Sequence, residues 1–475
     1  MDVVIVGGGI CGLATAHFLS RSLSVQDSRL PSVCLVEGSP RFGGKVLSER
    51  FDGFLVEGGP DSFLRQKSDA LELVDELGLA DQLVPSNDHK RRVFLVRQGR
   101  LVPLPEGLQM MVPTRWKPFF QSPLLSVAGR LRVALEPWIP ARRATTDESL
   151  ASFVRRRFGR EALATLAEPQ LAAIYLGDSE RLSLEATFPS FAQLERSHGS
   201  LVRGLRRRPG APPRLAGIHL STPGSPPPEP MFWSLREGVG SLTEALERRL
   251  QQAGVTLSTG QPVTAIERLR AGWRVHRDGA PSLDADAVVL AVPAAVAARL
   301  AASGNPALAE GLGELRAVSA AVVSLGYREL DLPRPLDGFG FFVPAQEGRR
   351  IVASTWTSTK FDHRAPAGHV LLRMFVGGLR GEQWAELPEG DLLALARAEL
   401  GDLLGLTAEP VMARIHRWPQ GYPQYEVGHR QRVTELTRRA EPGLYLAGSA
   451  FHGVGLSDCV ASAAATAKAI RHSPR

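Results

Sequence analysis

"DVVIVGGGICGLATAHFL", residues 2–19, decides the fold. Its opening run, Asp2 to Val6, is apolar and rich in β-branched residues, the pattern of a buried parallel strand. Gly7, Gly9 and Gly12 follow in G-x-G-x-x-G spacing, and residues 13–19 have a helical pattern. In such a strand–turn–helix unit the first glycine makes the tight turn and the second lets backbone approach a pyrophosphate. The third lets the helix pack on the strand. The anion sits at the helix N-terminus, where free N–H groups and the dipole favour it. "SVCLVEGS", residues 32–39, reads as the second strand, and Glu37 at its end suits ribose hydroxyls. Glu37 lies 25 residues after Gly12, beyond the usual spacing of about 20. The polar stretch 21–32 accounts for the excess as a lengthened loop. The unit predicts a dinucleotide and leaves NAD and FAD both open.

A chain of 475 residues has room for two or three domains. Cys11, Cys34 and Cys459 show no metal spacing and read as small buried hydrophobes, which fits a reducing compartment. With the first strand starting at residue 2, no signal peptide is expected. No uncharged apolar run reaches the length of a spanning helix. The net charge of +7 is unevenly placed, with 15 Lys/Arg against 5 Asp/Glu between residues 88 and 160. That segment also carries Trp116, Phe119, Phe120 and Trp138. Cations mixed with aromatic and aliphatic residues suit an anionic membrane surface, an acidic substrate, or simply a solvated basic face. No nucleic-acid motif accompanies the charge.

Along the chain, "RRVFLVRQGRLVPLP" at 91–105 reads as a hairpin and 108–191 as mostly helical. Residues 209–230 hold eight prolines in 22 positions, which precludes regular structure and predicts a surface loop. A helix ends at Gly254, strands follow, and a buried strand is expected at 285–293. Strands of a second sheet are expected near 321–327 and 374–376, then a helix over 389–404 ended by Gly405. A strand, a glycine-rich turn and a small-residue helix close the chain from residue 443. If that last turn also touches the cofactor, the nucleotide domain is discontinuous and the middle of the chain is inserted into it. No internal repeat is present.

Three stretches extend the opening motif: "SPRFGGKV" at 39–46, "GFLVEGGPDSF" at 53–63 and "LYLAGSAFHGVGLSDCVASA" at 444–463. With it they resemble the FAD-dependent amine oxidase superfamily. "AAIYLGDSERLSLEATFPSF", "EGVGSLTEAL", "DGFGFFVP", "FDHRAP" and "RWPQGYPQYEVGH" resemble more closely its oxygen-dependent protoporphyrinogen oxidase branch. The matches span nearly the whole chain in order.

The resemblance implies an α/β chain: a discontinuous Rossmann-like FAD-binding domain, an inserted α+β substrate domain and a helical membrane-binding segment. The FAD-binding parts are expected at 1–83, 231–296 and 411–475, and the substrate domain at 84–107 and 297–410. The helical segment takes 108–205 and the Pro-rich loop 206–230. Gly7, Gly8, Gly9, Ile10, Gly12 and Leu13 are then expected around the pyrophosphate, with Glu37 and Gly38 at the adenosine ribose and Val263 at adenine. Arg41, Gly43, Gly44 and Lys45 continue along the cofactor; Lys45 stands where family members often have Arg, keeping the charge without the planar fork. Gly58, Gly59 and Pro60 pass close to the isoalloxazine, Trp418 stands near it, and Gly448, Val454, Gly455 and Leu456 close over it. The helix N-terminus after Gly455 is expected to favour negative charge on reduced flavin.

The implied reaction is the six-electron oxidation of protoporphyrinogen IX to protoporphyrin IX in haem synthesis, by hydride transfer to FAD with oxygen as acceptor and hydrogen peroxide as product. Arg92 matches the family's propionate anchor, with Arg91 one position away. Phe375 and Phe342 match wall residues, with Thr355 near them, and Gly177 a backbone carbonyl beside the reactive carbon. His452 and His429 are candidate bases without a family role; Cys459 reads as packing. The expected partners are a tetrapyrrole, oxygen, the cytoplasmic face of a membrane held peripherally, and a second copy of the chain in a homodimer. No metal is expected. Coproporphyrinogen III oxidation by the same chemistry stays open, since Arg91, Arg92 and Arg97 share one hairpin and could serve extra carboxylates. An amine oxidase or a carotenoid desaturase is the more distant alternative.

Overall fold

The structure is a computed structural model and describes residues 1–21, 31–206, 230–379 and 381–473. The Pro-rich segment, and most of the lengthened loop after the first helix, lie outside the described residues.

A five-stranded parallel sheet runs in the order Thr256–Ser258, Ser32–Val36, Asp2–Val6, Ala287–Leu290, Leu444–Leu446. The first strand occupies the centre, and Val3 to Val6 are buried, as its unbroken apolar run requires. Helices Ile10–Ser20, Gly240–Gln252 and Leu456–His472 share a core with one face of the sheet. The antiparallel strands Val263–Arg268, Trp273–Arg277 and Ala280–Ala285 cover the other face with helices Ala294–Ala301 and Pro306–Gly313. One sheet thus joins the start, middle and end of the chain.

A second, seven-stranded sheet is mixed. Its order is Met412–Pro423, Ala317–Arg328, His369–Gly377, Ile351–Trp356, Gly340–Phe342, Val93–Arg97, Arg100–Pro103. The last two strands form the expected hairpin. Its turn residues Gln98 and Gly99 both have positive φ, 51° and 69°, the two-residue geometry that matches strand twist. Helix Glu389–Leu404 packs on one face of this sheet, and Gly405 ends it in the left-handed conformation, φ 71°.

Two expected boundaries move. The third FAD-binding part does not begin at 411, because Met412–Pro423 is hydrogen-bonded along Ala317–Arg328 and belongs to the seven-stranded sheet. The second part does not stop at 296, because Leu300, Leu308, Leu312 and Leu315 share a core with Val4 and Val288 of the parallel sheet.

The segment from Trp116 to Arg206 is mainly short helices around its own core. Its buried charges are paired. Arg157 holds Glu136 and Glu195, and Arg156 holds Glu195 and Glu148. Only Arg91 and Arg157 of the cations counted in the sequence are buried, and most of the basic character stays at or near the surface. Its exposed face is apolar: Val127, Leu131, Leu135 and Trp138 recur at helical spacing, with Phe120 beside them. No helix among the described residues is long and apolar enough to cross a membrane.

Candidate active site

The opening motif forms as its glycines require. A Cβ on Gly12 would lie 1.9 Å from the Gly7 carbonyl oxygen, so only glycine lets the helix pack this close. Gly9 is the N-cap of helix Ile10–Ser20, and no side chain caps it. A Cβ built there meets nothing within 4 Å. The helix start thus faces an open cradle lined by backbone, which fits a pyrophosphate. Ile10 and Leu13 are buried in the core beneath it.

The other expected cofactor segments converge on this point. Gly43 bridges to Gly9 and donates to the Gly8 carbonyl at 2.8 Å. Glu37 accepts from the Gly8 N–H at 2.6 Å and from the Ser39 N–H at 2.8 Å. Its carboxylate already turns toward the motif, where a ribose would meet it. Gly38 lies against Pro262, beside Val263. Arg41 wraps the loop itself, donating to the Phe42 carbonyl at 3.0 Å and the Gly44 carbonyl at 2.7 Å. It holds the Gly43–Gly44 turn in shape. Lys45 is half-buried and donates to the Gly421 carbonyl. Burial lowers its pKa.

Gly59 has no room for a side chain, since a Cβ would lie 1.8 Å from the Lys45 carbonyl oxygen. Trp418 donates its indole N–H to the Gly58 carbonyl at 2.7 Å. After Pro60, Asp61 is held by Lys360 at 3.1 Å and Arg373 at 3.3 Å. Burial alone would raise the Asp61 carboxyl, but the two cations outweigh it and hold it well below the usual carboxylate range. This buried cluster escaped the sequence reading; nothing in the chain marks three residues some 300 positions apart as partners.

The terminal turn is tied in from the other side. The Ala447 N–H bonds the Leu290 carbonyl at 3.1 Å, and Lys67 holds Asp458 at 2.6 Å. Gly448 has φ 114° and open space before it. Leu456 is buried, and Val454 packs against the helical core. At the helix after Gly455, Asp458 accepts the Gly455 N–H at 3.2 Å and its charge is balanced by Lys67.

Facing these segments is one surface of the seven-stranded sheet. Leu95, Phe342, Ala353, Phe375, Val322 and His416 lie in one row across it, and paired residues share a face. Phe342 and Phe375 thus flank the small Ala353. Arg373, two residues before Phe375 on the same face, reaches the Gly59 carbonyl, and His416 lies directly against Gly58. Gly177 sits near the end of the same strand: the Leu176 carbonyl accepts from the Leu379 N–H at 2.9 Å. Gly177 also lines a pocket of about 150 Å3 with Val352 and Gly377.

The structure does not bring Arg92 to the phenylalanine pair. Arg92 is more than half exposed and pairs with Asp337. It lines a groove of about 1050 Å3 that includes Val93, Leu104, Leu336 and Val370 but neither phenylalanine. Arg91 lines the same groove, buried against Asp88 at 3.0 Å. Arg97 turns away to the Pro123 carbonyl. Thr355 pairs across the sheet with Arg373, one step from the Phe375 row. His429 is buried, with Nε2 3.1 Å from the Phe451 carbonyl oxygen, an architectural placement. Cys11 and Cys459 are buried and Cys34 is partly so. No group of metal-ligating side chains occurs among the described residues.

A dinucleotide cradle in three chain segments, backed by an apolar sheet face, defines an FAD-dependent oxidoreductase. The chain belongs to the family described as flavin containing amine oxidoreductase, which it matches over residues 10–471, and FAD is its cofactor. It is 36% identical over 462 residues to a coproporphyrinogen III oxidase of Bacillus subtilis, covering 96% of this chain and 95% of the relative. It is 34% identical to human protoporphyrinogen oxidase, covering 97% and 96%. A crystal structure from Exiguobacterium superposes with a TM-score of 0.84 at 33% identity, covering 99% of this chain and 98% of the other. A putrescine oxidase at 17% identity and TM-score 0.70 shares the fold.

Proposed function

We propose that this chain oxidises a porphyrinogen to the porphyrin, six hydrogens leaving the macrocycle in three two-electron rounds, with oxygen as final acceptor and three hydrogen peroxide formed. The observation that carries the reading is the row Phe342–Ala353–Phe375 beside the Gly58–Gly59 turn. Two rings flanking a small residue make an apolar slot for a large flat substrate. Bound FAD supplies the hydride acceptor; the chain supplies orientation and keeps water out. Phe342 and Phe375 form the walls, and the Gly177 carbonyl is assigned the assisting of proton movement at a meso carbon, by the family resemblance alone. Arg92 keeps to the separate groove that it shares with Asp337 and takes no part in this slot.

The first reading of the substrate is protoporphyrinogen IX, and the alternative is coproporphyrinogen III. The second reading has its own support. Relatives named coproporphyrinogen III oxidase reach 36% identity in two organisms. Purified yellow protein given each porphyrinogen separately, with porphyrin fluorescence and oxygen uptake followed, decides between them. Turnover of neither by FAD-loaded protein would overturn the whole reading.

The exposed apolar face from Phe120 to Trp138 supports a peripheral hold on the cytoplasmic membrane surface, where Lys117 and Arg143 meet anionic headgroups. A hydrophobic substrate would then enter without crossing water.

A further inference from the structure

The turn from Gly448 to Gly455 closes over the flavin by the reading above; its internal bond from the Phe451 N–H to the Gly448 carbonyl at 3.2 Å does not span residues 449–453. The hydroxyl of one buried tyrosine outside it does. Tyr425 is 1% exposed. Its Oη donates to the Ser449 carbonyl at 2.5 Å and accepts from the Gly453 N–H at 2.7 Å. One oxygen thus pins both ends of the five residues 449–453. Its ring stacks on His429 at 4.1 Å between centroids and 18° between planes. His429 in turn bonds the Phe451 carbonyl, in the middle of the same five residues.

The backbone of Tyr425 is fixed from the opposite side by the helical segment. The Ser183 N–H donates to the Tyr425 carbonyl at 2.7 Å, and the Val427 N–H to the Arg181 carbonyl at 2.9 Å. The Asp147 carboxylate receives the Ser183 hydroxyl at 2.6 Å and the Gly428 N–H at 2.9 Å. The hydroxyl therefore sits at the end of a rigid strap, with no freedom to follow the turn if the turn moves.

We infer that Tyr425 is a positioning residue for FAD: its hydroxyl holds the 449–453 turn in the shape that closes over the flavin. Burial keeps the phenol neutral, so the group both donates and accepts. A phenylalanine there keeps the stack and the packing and removes both hydrogen bonds. The inference rests on the terminal turn lying at the flavin.

The test compares Tyr425→Phe with Tyr175→Phe in the FAD-loaded protein. Tyr175 is also buried, lies against Tyr425 with ring centroids 6.4 Å apart and planes tilted by 52°, and its hydroxyl donates to the Thr187 carbonyl, away from the turn. The readouts are the FAD dissociation constant, visible circular dichroism of the flavin, and thermal unfolding. Tyr425→Phe is expected to weaken FAD by about ten-fold, the size of two lost buried hydrogen bonds, and to change the flavin dichroism. Tyr175→Phe should leave both as they are. A Tyr425→Phe protein that melts earlier but keeps wild-type affinity and dichroism overturns the inference, since the residue is then only packing. Val454→Glu, placed in the turn itself, separates the two failures. Unchanged flavin signals in that variant would show that the turn is not at the flavin, and the underlying reading falls.

Discussion

Arg373, from the middle of the seven-stranded sheet, donates to the carbonyl oxygen of Gly59, in the turn after strand Phe54–Glu57, at 2.5 Å. The two residues are 314 positions apart and join the two halves of the site. The same guanidinium meets Asp61 and lies 5.1 Å from the Phe375 ring centroid. One side chain thus sets the glycine turn, neutralises a buried carboxylate and supports a wall of the slot.

Arg373→Met should therefore damage both halves. It leaves Asp61 with Lys360 alone and the Gly59 carbonyl unpaired. A loss of about 3 kcal/mol is expected, in the range for breaking a buried pair. Urea unfolding together with flavin content per chain checks it; a stable protein with full flavin would refute it.

Gly9→Ala isolates the ligand from the fold. Gly9 has ordinary extended backbone, φ −70°, and free space at its Cβ position. The apo protein should keep its stability within about 0.5 kcal/mol. FAD affinity should fall by about ten-fold or more, because the new methyl occupies the pyrophosphate's approach. Gly12→Ala, with its Cβ 1.9 Å from a carbonyl oxygen, should instead fail to fold. Equal stability loss in both would remove the distinction.

His429 makes stability depend on pH. Burial lowers its pKa from 6.5 to about 4. The unfolded chain then binds a proton near 6.5 that the folded chain refuses until about 4. Stability falls as pH drops through this interval, by up to about 3 kcal/mol, and the contribution is intact above it. His429→Gln should flatten that part of the stability curve relative to wild type. Parallel curves in denaturant titrations from pH 7 to 4 would contradict it.

Leu131→Gln with Trp138→Gln tests the surface patch. Both side chains are more than half exposed, so stability should move by no more than about 0.5 kcal/mol. Co-sedimentation with anionic liposomes should drop several-fold and fall further with salt in the wild type. Undiminished binding would exclude this face as the contact.

The cofactor cradle was legible because its chemistry is local. A G-x-G-x-x-G spacing after a β-branched run leaves few alternatives, and the structure puts Gly7, Gly9 and Gly12 where that spacing implies. The substrate half was legible only in its elements. Pairing partners decide which residues face the slot, and no local pattern announces that Phe342, Ala353 and Phe375 share a row. Met412–Pro423 shows the same limit, because its membership follows from its partner strand. Arg91 and Arg92 could not be told apart in sequence; burial against Asp88 separates them. Tyr425 was quoted in a family-like stretch, but its role lies in an oxygen that meets residues 24 and 28 positions away.

The parallel sheet has a consequence for how the protein is made. Its central strand is Asp2–Val6, but Leu444–Leu446 completes it beside Ala287–Leu290. During synthesis that inner strand waits with an unpaired edge while about 150 residues are added, roughly ten seconds or more at ordinary translation speeds. A chain that stalls before this strand has the Gly7–Gly12 motif in place but displays an open sheet edge that a chaperone or protease can recognise.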